Sequence, residues 1–391
     1  MKALRNYLDK IKPNFEEGGK LAMFRSVFEG FETFLFVPST TSKSGVHIHD
    51  YIDSKRTMTV VIIALLPALL FGMYNVGYQH NLAIGADPGF LMTFIFGFLA
   101  VLPKIIVSYV VGLGIEFAVA QVKKEEIQEG FLVSGILIPM IVPVDTPLWM
   151  IAVATAFAVV FAKEVFGGTG YNVFNVALVT RAFLFFAYPA AMSGDQVFVR
   201  GQVVDGFSGA TPLGQVAIAG KELIGSFQAV DVLGHPISTW DMFLGLIPGS
   251  IGETSVLAIL IGAVILLFTK IASWKTMVSV FVGGAVMSLI FNMIGTTVAM
   301  CVSPLDHLFL GGFAFGAVFM ATDPVTSART ETGKYIYGFL VGAMAIIIRA
   351  LNPGYPEGMM LAILLMNVFA PLIDYYVVEA NINRRLKRVI K

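Results

Sequence analysis

The sequence predicts an all-α polytopic membrane protein: about ten transmembrane helices in two inverted five-helix repeats, with both termini cytoplasmic. Three observations predict it. Of 391 residues, 57% are hydrophobic and only 13% charged, where an ordinary soluble domain carries roughly 25% charge. The mean hydropathy is +0.80, and the apolar residues fall in runs long enough to cross a bilayer as helices. Lysine and arginine then gather on alternate sides of those runs. Equal numbers of basic and acidic residues, 26 of each, leave no electrostatic footprint for a nucleic acid. The single cysteine, Cys301, excludes an internal disulfide and a Cys-rich metal or iron–sulfur site within the chain.

The first 56 residues are polar and mixed. Their start, MKALRNYLDKIKPNFEEGG, has no apolar stretch behind its basic residues, so no signal peptide is expected. His47 and His49 within them are spaced like a metal pair but lack a third ligand, and read as surface. Ten apolar runs follow, at about 57–77, 90–122, 131–147, 149–166, 173–190, 243–269, 276–300, 305–322, 335–351 and 358–378. Pro103 inside the long second run predicts a kink or two half-helices. The third run is short and carries Pro139 and Pro143.

With the N-terminus in the cytoplasm and sides alternating, 21 of the 26 basic residues fall on cytoplasmic segments. They include Lys123, Lys124, Lys163, Lys270, Lys275, Arg329 and Lys334, and five in the tail. Arg200 and Lys221 fall outside; Lys104, Arg181 and Arg349 fall within spans. This bias orients the chain. The expected organisation is an N-terminal segment (1–56), a first membrane repeat (57–190), an outer loop (191–241), a second repeat (242–378) and a basic tail (379–391) suited to anionic lipid. GFLVSGILIPMIVPVDTP (130–147) resembles GGFAFGAVFMATDPVTS (311–327): each is a Gly-rich apolar run ending in a Pro-containing break. An odd number of spans per half inverts one repeat against the other, a transporter plan with sites near the midplane. Gly312/Gly316 and Gly338/Gly342 are helix-packing pairs.

An ionisable side chain deep in a bilayer costs on the order of 3 kcal/mol on insertion scales. Lys104 and Glu116 lie in the second run, Arg181 in the fifth, Arg349 in the ninth, Asp323 just after the eighth and Asp374 in the tenth. They either pair or snorkel, or they mark a path. Glu116, beside Gly112, Gly114 and Phe117, is a hard oxygen ligand suited to Na⁺ or a proton.

FGGTGYNVFNVALVTR (166–181) is a second polar concentration, at a cytoplasmic end. Gly167, Gly168 and Gly170 allow close backbone approach. Asn172 and Asn175, three apart, place two amides on one helix face, with Arg181 on the same helix, and amides are the uncharged donors and acceptors a flat heterocycle requires. A tight turn with an Asn helix cap explains the same residues differently.

The outer loop centres on Asp205-Gly206-Phe207-Ser208-Gly209-Ala210-Thr211-Pro212, a strip of small residues around one hydroxyl, able to thread into a modifying enzyme. D-G-x-[ST]-G-A-T resembles the acceptor motif for covalent flavinylation, with Thr211 at the acceptor position. FGGTGYNVFNVALVTRAFLFFAYPAAMSGD, IPGSIGE (247–253), GGFAFGAVFMATDPV and NPGYPEGMMLAILLMNVFAPLID (352–374) extend the resemblance over nearly the whole chain. Together they resemble the B-type membrane component of sodium-translocating NADH:quinone oxidoreductases, homologous to the D-type component of Rnf complexes. The N-terminal extension favours the former. A non-redox solute channel of the same architecture is the alternative of a different class.

The resemblance implies a flavoprotein component of a respiratory translocase in the bacterial inner membrane. FMN is joined through its phosphate to Thr211 on the periplasmic side, with Asp205, Gly206, Ser208, Gly209 and Ala210 as the surrounding motif. A noncovalent riboflavin lies at Thr169, Asn172, Asn175 and Arg181. Gly112 matches one of a glycine pair associated with quinone; its second member is Leu113 here. Glu116 and Asp374 match acidic positions linked with Na⁺ uptake. Electrons pass from an NADH-oxidising partner and a second FMN-bearing partner through this chain to ubiquinone or menaquinone, while Na⁺ is exported. Three further partner chains, two of them membrane-embedded, and a flavin transferase complete the implied partners. The chain carries no nucleotide-binding fingerprint, so NADH binds elsewhere, and the chain alone is expected to be inactive.

Overall fold

The computed structural model describes residues 2–16, 18–36, 44–46, 53–123, 130–192, 198–201, 209–220, 227–231 and 233–389. His47 and His49, Lys124, and Asp205, Gly206 and Ser208 lie outside the described residues. Among the described residues the regular structure is helical, and the β-type contact is an isolated bridge between Val230 and Pro236.

Two amphipathic helices, α1 (Lys2–Ile11) and α2 (Arg25–Leu35), precede the membrane region. Arg5 of α1, and Lys12 just after it, form ion pairs with Glu32 of α2. The membrane region opens with α3 (Ser54–Ile84), whose cap Asp53 accepts from the Arg56 amide at 2.8 Å. Then come α4 (Phe90–Lys123), α5 (Phe131–Ile141), α6 (Leu148–Ala158), α7 (Val176–Ala187) and the short α8 (Pro189–Met192). A π-helical turn, Val159–Lys163, and a 3₁₀ turn extend α6 to Phe166. The segment between the two halves contains α9 (Pro212–Ala219) and α10 (Thr239–Leu244). The second half has α11 (Val256–Phe268), α12 (Trp274–Ile294), α13 (Val298–Cys301), α14 (Pro304–Phe309), α15 (Phe313–Phe315) with a π-helical turn at Gly316–Met320, α16 (Glu331–Leu351) and α17 (Met359–Val389).

Among the described residues six helices are long and apolar enough to cross a membrane: α3, α4, α6 with its extension, α12, α16 and α17. The other four apolar runs hold shorter helices, and their breaks have local causes. The second run is one continuous helix through Pro103 rather than two half-helices. The third ends as helix at Ile141, where Val142 turns extended before Pro143, because proline disfavours a helical residue ahead of it. The sixth starts in the last turn of α10 and is helical again only from Val256; PGSIGE between them is glycine- and proline-broken. The eighth is divided at Gly311 and Gly312, both at positive φ (60° and 66°), a conformation side-chain-bearing residues avoid.

Helix α4 packs on α6 and α6 on α7; in the second half α12 packs on α16 and α16 on α17. The α12–α16 contact is close because Gly342 carries no side chain: a Cβ there would lie 2.0 Å from the Val280 carbonyl oxygen. One hydrophobic core joins both halves, with Leu65, Ile138 and Leu178 of the first and Ile259, Phe313 and Tyr337 of the second. A satellite core of Leu213, Ala229, Ile237, Met242, Ile247 and Leu310 ties α9 and α10 to the membrane bundle. Large apolar side chains such as Phe90, Phe161, Phe186, Phe268 and Met293 face outward, the surface a lipid-embedded protein presents.

Candidate functional site

Among the described residues, the two larger cavities that border α7 lie one towards each end. At its start, Asn175 caps the helix: its Oδ1 accepts from the amides of Ala177 (3.0 Å) and Leu178 (3.2 Å). Its amide donates to Asp323 Oδ2 at 3.3 Å. Asp323 also accepts from the Val325 amide and the Thr326 hydroxyl, both at 3.0 Å. Asn172 donates to the Phe174 carbonyl at 3.0 Å. Thr169, Asn172, Asn175, Lys163 and Asp323 form the polar wall of a cavity of about 110 Å³, with Leu137, Val61 and Phe319 among its apolar walls. The turn that brings them together needs Gly167, Gly168 and Gly170, at φ 117°, 95° and 91°.

Asn172 and Asn175 therefore meet at one cavity, but not on one helix face, as expected from their spacing: the helix begins only at Val176. Asn175 acts as the helix cap, lines the cavity, and donates its amide to Asp323.

Arg181 is not at this cavity, which corrects its expected grouping with the two asparagines. Six positions after Asn175 on a 3.6-residue turn, it is rotated by about 240° and displaced by about 9 Å along the axis. There Arg181 is buried between Glu253, at 3.3 Å, and Glu357, with which it forms a second ion pair. Arg181 and Glu357 line the second cavity, about 340 Å³, with Phe185, Phe198, Tyr355 and Thr211. The Phe185 and Tyr355 rings meet edge to face at 4.7 Å.

Thr211 is the N-cap of α9, its Oγ1 accepting from the Gly214 amide at 3.1 Å. Thr211 lines the cavity at a helix N-terminus, where backbone N–H groups and the helix dipole favour an anion such as a phosphate. Of its motif, Gly209 and Ala210 are described and both are buried; the Ala210 carbonyl accepts from Gln215 at 3.2 Å. Leu213, in the satellite core, holds α9 against the bundle.

The remaining ionisable positions separate. Glu116 is buried on α4 and paired with Lys163 on the π-turn after α6, so an ammonium stands where a bound cation was expected. Lys104 does not reach Glu116; it donates to the Thr146 carbonyl at 2.8 Å. Asp374 accepts from the Arg329 amide (2.7 Å), the Thr330 amide (2.9 Å) and the Thr330 hydroxyl (2.6 Å), closing the loop ahead of α16. Arg349 donates to the carbonyls of Leu310 (2.8 Å), Gly311 (3.1 Å) and Glu357 (2.7 Å), among others. Gly112 faces Phe131: a Cβ would lie 2.0 Å from that ring. Leu113 packs against the core.

Glu253, Glu357 and Lys163 are site residues that sequence reasoning misses. The signal for the two glutamates is present, since IPGSIGE and NPGYPEG each place a carboxylate in a broken segment between apolar runs. Lys163 reads as the basic flank of a span, and only the π-turn brings it inward.

The donor sets suit flavins. A phosphate can be esterified at a hydroxyl set on a helix N-terminus, and the adjoining cavity offers aromatic rings and a paired guanidinium. The other cavity combines amides, hydroxyls, the Asp323 carboxylate and the Lys163 side chain with apolar surface, the pattern of a small-molecule pocket.

Residues 41–383 match the model of the NQR2, RnfD, RnfE family. The chain is 46% identical to the B component of the Na(+)-translocating NADH-quinone reductase of Chromohalobacter salexigens, covering 98% of this chain and 96% of the relative. It is equally similar to the corresponding proteins of Pseudomonas paraeruginosa and Klebsiella pneumoniae, at 46% identity over 98% of this chain and 99% of each relative. With its apolar helices and a family match over most of its length, the chain belongs to the NQR2, RnfD, RnfE family of membrane proteins.

Proposed function

We propose that this chain is the electron-carrying membrane component of a sodium-translocating NADH:quinone oxidoreductase, holding FMN covalently at Thr211 and riboflavin noncovalently at the Thr169, Asn172 and Asn175 cavity. The observation that carries this reading is the placement of two cavities along one helix, with the acceptor hydroxyl in one and the amide cluster at the other. From Asn175 to Phe185 is ten residues, a rise of roughly 15 Å, so α7 separates the two groups by part of the bilayer thickness. Flavins supply the one- and two-electron redox chemistry. The protein's part is to anchor one through the Thr211 oxygen, seat the other against the amides, and exclude water with the Phe185, Tyr355 and Phe319 rings.

In this reading the outer loop is periplasmic, both termini are cytoplasmic, and the five-plus-five plan is an inverted repeat. The matching contacts of second with fourth and fourth with fifth element in each half support the repeat. Electrons cross the bacterial inner membrane inward, which is electrically equivalent to a cation moving outward, and Na⁺ is exported. Quinone is reduced near Gly112 and Leu113, and Glu116 and Asp374 border the ion path. The five other chains of the complex and a flavin transferase are the partners.

The test is intact mass and in-gel fluorescence of wild type and Thr211→Ala, each coexpressed with a flavin transferase. The reading requires a fluorescent band heavier by FMN less one water, absent in the variant. An unmodified wild type, beside a control substrate that is modified, overturns it.

A further inference from the structure

Lys163 belongs to two environments. Its ammonium pairs with Glu116, and its side chain also lines the cavity walled by Thr169, Asn172 and Asn175. Both members of the pair are buried, and among the described residues Glu116 Oε2 has no hydrogen-bond partner. The π-turn that carries Lys163 is one of two in the described chain, and the other, Gly316–Met320, contributes Phe319 to the same cavity. Such turns are rare and concentrate at functional sites.

We propose that Lys163 is a movable counter-ion shared between Glu116 and the cavity, and that its movement makes Glu116 a cation site. While the cavity's occupant is uncharged, the ammonium stays with Glu116. When the occupant gains an electron, delivered from the redox group on the far side of α7, its negative charge draws the ammonium into the cavity on its flexible four-carbon stem. No bond forms or breaks. Glu116 is left as a buried carboxylate without compensation, a state costly enough to demand a partner. A small hard cation such as Na⁺ supplies it. Reoxidation returns the ammonium to Glu116 and expels the cation. The electron and the cation thus compete for one lysine. This rests on the flavin reading of the cavity.

The experiment is a spectroelectrochemical titration of the noncovalent flavin in the assembled complex, at low and saturating Na⁺, for wild type, Lys163→Met, Lys163→Arg and Glu116→Gln. Noncovalent flavin content is measured on each. In wild type, Na⁺ raises the midpoint. In Lys163→Met the midpoint falls by about 59 mV, the one-electron equivalent of tenfold, and loses its Na⁺ dependence, while Lys163→Arg keeps both. In Glu116→Gln the midpoint rises, because the ammonium is committed to the cavity, and the Na⁺ dependence disappears. A Lys163→Met complex that binds flavin with unchanged midpoint and Na⁺ response overturns the proposal. So does a Glu116→Gln complex that still responds to Na⁺, which decides the matter if Lys163→Met holds no flavin. A midpoint that follows pH and ignores Na⁺ assigns the compensation to a proton and also overturns it. Failure of the underlying reading has a separate signature: noncovalent flavin retained in full when Asn172 and Asn175 are both replaced by leucine.

Discussion

The Asn175 amide donates to the Asp323 carboxylate at 3.3 Å across 148 residues of chain. That bond joins the cap of α7 in the first half to the break after Met320 in the second, and it forms part of the wall of the amide-lined cavity. The cavity is therefore a joint product of the two halves.

Asn175→Asp separates the cap from the ligand role. An aspartate still accepts the Ala177 and Leu178 amides, so α7 remains capped. Its second oxygen then faces the Asp323 carboxylate, and like charges repel at that distance. The expected outcome is a protein whose α7 stays capped but whose melting temperature in detergent falls, because two carboxylates now face each other inside the protein, with most of its noncovalent flavin lost, read by release and quantification. Asn175→Ala loses the cap as well, at about 1 kcal/mol.

Thr211→Ser keeps both the acceptor oxygen and the N-cap, so the serine variant is expected to carry covalent flavin, at a lower yield set by its freer rotamer. Thr211→Val removes the acceptor and the cap together and is expected to carry none, with α9 weakened by about 1 kcal/mol. Intact mass distinguishes the three proteins.

Gly112 and Gly114 lie two residues apart on α4 and are expected to respond oppositely to alanine. A Cβ at Gly112 would meet the Phe131 ring at 2.0 Å, whereas at Gly114 nothing lies within 4 Å. Gly114→Ala should be neutral or stabilising by up to about 1 kcal/mol from helix propensity. Gly112→Ala must displace Phe131, next to the cavity wall at Gly130, so it lowers both the melting temperature and noncovalent flavin retention. Thermal unfolding of the two purified variants checks the sign.

Arg349 holds the carbonyl oxygens of Leu310 and Gly311 at the Gly311–Gly312 break and that of Glu357. Arg349→Met leaves several buried acceptors unpaired, at about 1–3 kcal/mol each, and is expected to abolish assembly. Arg349→Lys cannot reproduce the planar fork and is expected to assemble with a lowered melting temperature. Size-exclusion profiles in detergent separate these outcomes.

Much of the fold is legible in the sequence because helix formation and membrane insertion are read along the chain. The runs around α3, α4, α12, α16 and α17 stand out, with their starts placed within a few residues, since each is a long apolar stretch, whereas α3 and α17 continue as helix well past the ends expected for them and α12 stops short of its own. The four short helices read as too long, because hydropathy continues through Val142, Ile247 and Leu310 while the backbone does not remain helical. The site is half legible. Thr211 and the two asparagines stand out as residue types in short motifs. Their surroundings do not, because Asp323 is brought to Asn175, and Glu357 to the Thr211 cavity, from the other half of the chain.

Composition and pattern by themselves determine that the chain is helical and membrane-embedded, because those properties depend on near neighbours and on transfer of side chains out of water. Only the tertiary structure decides which charges meet: Arg181 with Glu253 and Glu357 instead of the asparagines, Glu116 with Lys163 instead of Lys104, and Asp374 with backbone amides. Charge pairing in a low-dielectric interior depends on distances of a few ångströms between segments remote in sequence, and a rotation of about 240° on one short helix is enough to move Arg181 from one cavity to the other.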